Sequence, residues 1–179
     1  MILILKKILL IGFVCVTCSC NIVNNHKKKI LSDNYIGNEI LLSSLVFFNN
    51  STEVNLDSLT YSRYKVVIYV DSSNCDDCRI SQALAIRGYE LEIIRKKKYI
   101  PFIYIFNTQD AFSLKEHLEY YGFRSYYFVD LEDTFLSANN ITHDKRFHTF
   151  LLENNKIKVI GNPSISSDAR RRYNNALKI

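Results

Sequence analysis

VVIYVDSSNCDDC, residues Val66 to Cys78, decides how the rest of the chain is read. It opens as an apolar, β-branched run, passes through a polar turn and ends on two cysteines two residues apart. Lys65 to Val70 reads as a strand buried on both faces of a sheet, because it does not alternate with polar residues. Asp71 to Asn74 is the turn. From Arg79 to Lys97 apolar residues recur at Ile80, Ala83, Leu84, Leu91 and Ile94, which predicts a helix with that stripe inward. Gly88 weakens that helix by ~1 kcal/mol relative to alanine. A strand that delivers Cys-x-x-Cys to the start of a helix is one way to build a redox-active dithiol.

Downstream, Tyr99 to Phe106 predicts a second buried strand, with Pro101 tolerated at its start. Asn107 to Asp110 caps a helix over Ala111 to Tyr121 that Gly122 ends. Ser125 to Asp130 predicts a third strand, and Asp133 to Asn139 a short helix. His148 to Leu152 and Lys156 to Ile160 predict two strands joined at Asn154-Asn155, since asparagine tolerates the left-handed angles of a tight hairpin. Gly161-Asn162-Pro163 stops the sheet. Ser166 to Ile179 predicts a terminal helix with Ser166 or Ser167 as cap and Asp168 in its first turn. Upstream, EILLSSLVFF and EVNLDSL flank Asn49-Asn50-Ser51 and predict a β-hairpin or paired short strands. Alternating strands and helices give an α/β fold, a central mixed sheet with helices on both faces.

The 179 residues fit one domain plus a targeting segment. A composition that is 47% hydrophobic and 23% charged argues against wholesale disorder. Residues 1–19 have the layout of a signal peptide: Lys6 and Lys7, an apolar run from Ile8 to Val16, then small residues. The run is too short for a transmembrane helix, which needs ~20 residues. Removing that leader lowers the formal charge of +5 by two. The remainder is too weak and too scattered to argue for nucleic acid. Lys27 to Lys29, Lys96 to Lys98 and Arg170 to Arg172 read as solvated faces. The first of these is also suited to attract anionic lipid, at ~1 kcal/mol per basic residue.

Val16-Thr17-Cys18-Ser19-Cys20 resembles the lipobox of bacterial lipoproteins. The resemblance implies lipidation of Cys20, with Cys18 second, and two acyl chains suffice for stable anchoring. Residues 20–35 read as a flexible tether and 36–179 as the folded domain. No acidic run follows Cys20, so the expected location is the cell envelope, lipid-anchored and periplasm-facing. An uncleaved anchor or plain secretion would also put the body outside the cytoplasm.

The element order from Gly37 to Ile179 resembles the thioredoxin fold, and within it the TlpA-like branch of membrane-tethered thiol oxidoreductases. Val66 to Ile80 carries most of the likeness. His148-Thr149-Phe150-Leu151-Leu152, Asn154-Asn155-Lys156-Ile157 and Gly161 resemble the family's late hairpin, and Asp71-Ser72-Ser73-Asn74-Cys75 resembles a small group of lipoproteins in the superfamily. The resemblance implies Cys75 as attacking thiol and Cys78 as resolving thiol. It also places Phe147 and His148 at the substrate groove, where the family has a cis proline that holds the substrate segment. The chain departs from the family there, at Asn74 where tryptophan is usual, and at Asp76-Asp77 between the cysteines. Its implied partners are disulfide-containing exported proteins and a membrane electron donor, with no bound cofactor and no metal. A purely structural Cys75–Cys78 disulfide constrains little of the unfolded chain across so short a loop. Zinc would need about two more ligands, and His117, His143 and His148 have no recognisable ligand spacing. A binding or scaffold protein that keeps the fold without exchange activity is the alternative function; a peroxidase fits the cysteine arrangement less well.

Overall fold

The structure, a computed structural model, describes residues 33–42, 46–48, 59, 61–71, 76–96 and 98–179. The segments expected to be a signal peptide and most of the tether, with Cys20, lie outside the described residues. The chain divides into two compact units, Met1–Tyr35 and Ile36–Ile179, and the second carries the fold described below.

Six strands form one mixed sheet. They are β1 (Val46–Phe48), β2 (Tyr64–Val70), β3 (Phe102–Asn107), β4 (Tyr127–Asp130), β5 (Thr149–Glu153) and β6 (Lys156–Ile160), in spatial order β1-β4-β3-β2-β5-β6. Strands β2, β3 and β4 are parallel, with Val66 opposite Phe102 and Tyr104 opposite Tyr127. β5 runs antiparallel to β2, and β6 to β5. The helices are α1 (Asp76–Arg95), α2 (Ala111–Tyr120), α3 (Phe135–Ala138) and α4 (Ser167–Leu177).

β2 is central because it is paired on both edges and covered on both faces, which is what its unbroken apolar run requires. Lys65 to Val70 are all buried. Val66, Ile68 and Val70 join one core with Ile80, Ala83, Ile86 and Tyr89 of α1, Leu114 and Leu118 of α2, and Tyr173 and Leu177 of α4. Strand side chains alternate between faces, so Tyr69 points the other way, and its ring stacks on Phe135 of α3 at 5.5 Å. Lys65 is also buried, its ammonium bonded to Asn155 in the β5–β6 turn.

Local signals place most of the boundaries. The Asp110 carboxylate accepts from Ser113 N at 2.9 Å and starts α2. Gly122, at φ +66°, ends it while Phe123 N donates back to Leu118 O. Asn154 and Asn155 have φ of 51° and 64°, the paired left-handed angles of a type I′ hairpin. The Ser166 hydroxyl caps α4 through Ala169 N.

One expectation is corrected, and another is only partly placed. The β-hairpin or paired short strands expected over residues 36–63 lie partly outside the described residues. Gly37 N and Ile40 N donate to Ile157 O and Asn155 O on the β6 side, whereas β1 pairs antiparallel with β4 at the opposite edge, Val46 facing Val129. These contacts pair N–H and C=O groups that β4 and the β5–β6 side would otherwise leave open. The other expected arm, 53–58, lies outside the described residues. Helix α1 begins at Asp76, not Arg79, since acids are favoured in a first turn. Its inward stripe in the second half is Ile86, Tyr89 and Ile93, while Leu91 and Ile94 are 40% and 53% exposed. Apolar residues sit on two faces of this helix, and packing of Tyr89 against Phe102 and Tyr173 selects one.

Candidate dithiol site

Strand β2 ends at Val70 and α1 starts at Asp76, so the cysteine pair falls where a buried strand hands over to a helix. Cys78 is the third residue of α1; it is exposed and held in a disulfide. Cys75, directly before the helix in sequence, lies in the stretch 72–75 outside the described residues. A helix start offers unpaired N–H groups and the positive end of the dipole, both of which stabilise a thiolate.

Ionisable groups crowd this end of the sheet. Asp77 is exposed, and its Oδ1 accepts a hydrogen bond from the Tyr121 hydroxyl at 3.0 Å. Arg79, half-buried, donates from Nη1 to Asn107 O at 2.9 Å. Burial pushes its guanidinium pKa down, and the charge of Asp71 pulls it back. Asp133 accepts from the Tyr69 hydroxyl at 2.7 Å and from Asn107 Nδ2 at 2.5 Å. Burial and that carboxylate push the Tyr69 phenol well above its ordinary value of 10. Arg79, Asn107, Asp110 and Asp133 help line a cleft of about 480 Å³ beyond the ends of β3 and β4, completed by Thr108, Gln109, Leu131 and Glu132.

The residues expected at a substrate groove lie on the other side of β2. β5 pairs with β2 in the register Ile68 to Thr149, and Tyr69 N donates to His148 O at 2.8 Å. His148 and, before it, Phe147 therefore sit at the end of the sheet where β2 leads to the cysteines. These residues are only 1% and 2% exposed. Both are packed into the interior, and neither offers an exposed side-chain wall to a peptide. Phe147 closes a 3-10 turn whose first carboxylate, Asp144, accepts from Arg146 N. His148 Nε2 lies 3.0 Å from Thr142 O and donates to it, the ring meets Tyr69 edge-on at 5.2 Å, and Nδ1 has no hydrogen-bond partner among the described residues. Burial lowers the imidazole pKa against the opposing pull of Thr142 O and Asp71.

Among the described residues no group of three or more His, Cys, Asp or Glu is arranged to hold a metal ion. His117 is occupied within α2, with Nδ1 2.8 Å from Ser113 O, and His143 is exposed. No described helix is long and apolar enough to cross a membrane. Sequence reasoning missed Tyr121, Arg79 and the Asn107–Asp133 pair. For Arg79 the signal was its place beside Cys78; for the others the contact is tertiary.

No family model matches the chain, and no curated protein does. Among solved structures it is similar to the crystal structure of a candidate thiol:disulfide interchange protein, DsbE, from Chlorobium tepidum. The TM-score is 0.54 at 14% identity, over 80% of this chain and 96% of that one. Such identity bears on the fold alone, and together with the strand order and the helices on both faces of the sheet it shows that this chain has a thioredoxin-like α/β fold.

Proposed function

We propose that the chain is a lipid-anchored thiol–disulfide oxidoreductase of the cell envelope, working through Cys75 and Cys78. The observation that carries this reading is an exposed, disulfide-bonded Cys78 in the first turn of the helix that follows the central buried strand. The Cys75 thiolate attacks a substrate disulfide, forming a mixed disulfide and releasing one substrate thiolate, which takes up a proton. Cys78, deprotonated, then attacks the Cys75 sulfur; the mixed disulfide breaks and the second substrate thiol leaves. The substrate gains two electrons and the protein ends as the Cys75–Cys78 disulfide, which a dithiol donor must reduce before the next cycle. Asp76 and Asp77 place negative charge beside the sulfurs and disfavour the thiolate, so the pair works as a reductant. Lipid on Cys20 would tether the domain to the membrane.

A second reading, a thioredoxin-fold binding protein without exchange activity, is favoured by the buried Phe147 at the position where the family's groove carries proline. Insulin reduction with dithiothreitol as donor separates the two. The oxidoreductase reading expects the chain to speed insulin precipitation and Cys75→Ser to abolish the gain. A rate indifferent to that substitution leaves the binding protein.

A further inference from the structure

The dipeptide between the cysteines contains an unusual pair of acids, and the structure shows what one of them touches. The Asp77 carboxylate is reached by a single hydrogen bond among the described residues, from the hydroxyl of Tyr121. Tyr121 is the C-cap of α2, forty-four residues away in sequence. Its backbone N–H is spent on His117 O at 3.0 Å, and its ring, 41% exposed, meets Tyr120 edge-on at 5.1 Å. The side chain is thus placed by the helix end and by a neighbouring ring, independently of Asp77. Hydrogen bonding to Asp77 raises the phenol pKa, so the hydroxyl keeps its proton and remains a donor at neutral pH.

A carboxylate next to a thiol opposes its ionisation, and Asp77 stands between Cys75 and Cys78 in sequence. A hydroxyl that donates to the carboxylate takes up part of its charge and holds it against α2. We propose that Tyr121 is a positioning residue: through Asp77 it sets the acidity of the attacking thiol, and with it the reducing strength of the pair. This rests on the dithiol reading above. The other ionisable groups around the helix start are Asp76 in sequence, Arg79 within α1, Asp71 at the end of β2, and His148, which with Arg79 feels the charge of Asp71. Of the described ones, none donates to Asp77, so the effect runs through the Tyr121 hydroxyl.

The test uses the reduced full chain carrying Cys78→Ser. Alkylation of Cys75 by iodoacetamide is followed from pH 5 to 10 through the mass of the Val66–Arg79 tryptic peptide. Tyr121→Phe is expected to slow alkylation at pH 7 by roughly two- to fourfold, by moving the profile to higher pH. Asp77→Asn is expected to speed it by a similar factor, and the double variant to match Asp77→Asn alone, because Tyr121 acts only through that carboxylate. An unmoved profile in Tyr121→Phe overturns the proposal. So does a shift that persists in the Asp77→Asn background. The measurement follows one thiol and needs no turnover, so an inactive chain in the insulin assay counts against the oxidoreductase reading and leaves this result standing.

Discussion

The β2–β5 pair has two ends, and they are built on opposite principles. At one end Tyr64 faces Glu153, whose carboxylate gathers the Arg63 guanidinium at 2.7 Å, the Tyr64 hydroxyl at 2.8 Å and the Lys158 ammonium at 3.0 Å. Those donors, the Arg63 hydrogen bond foremost, pull the Glu153 pKa down to about 2. At the other end β2 leads to the cysteines. There His148 is buried, Arg79 is held below its usual pKa by burial, and Asp77 accepts from the Tyr121 hydroxyl. The first end is electrically closed and serves stability. The second gathers ionisable groups beside the start of α1, which is the setting in which a thiol pKa can be tuned.

Breaking each end should give different signatures. The largest effect is expected from Tyr69→Ala, which deletes the ring stacked on Phe135 and packed against His148, and removes the hydroxyl donor to Asp133. Truncating a buried aromatic costs roughly 3–5 kcal/mol, read as a lower urea midpoint with unchanged slope.

Glu153→Gln comes next. A carboxylate whose folded pKa is depressed contributes stability that is fully present above its unfolded value, 4.5, and is lost as pH falls towards about 2. Urea unfolding of the parent should weaken across that window, and the variant should be flatter there. The smallest effect is expected from His148→Gln. The folded pKa of His148 lies below the unfolded value of 6.5, so the unfolded chain binds the proton first and stability falls as pH drops below 6.5. The variant should lose that part of the slope whatever its stability at pH 8.

What was legible in the sequence is local. The Asn154-Asn155 turn, the Asp110 and Ser166 caps and the Gly122 stop each depend on one residue's own geometry, and each was readable from that residue. The central strand was readable because its burial leaves an unbroken apolar run. The second half of α1 was not, because Leu91 and Ile93 present two apolar stripes that only tertiary packing distinguishes. The pairing of β1 with β4, and of Gly37 and Ile40 with the β5–β6 side, was not readable, because nothing in a short apolar piece names its partner. At the site, Cys78 was readable from its spacing. The burial of Phe147 and His148 and the Tyr121–Asp77 bond arise from elements brought together by the fold, with no local mark in either stretch.

The central claim is that Cys75 and Cys78 form one reversible disulfide at the start of α1. The most direct measurement is the mass of the Val66–Arg79 peptide from chain alkylated without reductant, repeated across a glutathione redox series. The account predicts a peptide two hydrogens lighter than its dithiol form and unalkylated, which converts to the doubly alkylated form in a single two-electron step. Cys78 found linked to Cys15, Cys18, Cys20 or a second chain, or a peptide carrying two free thiols at every potential, would contradict it.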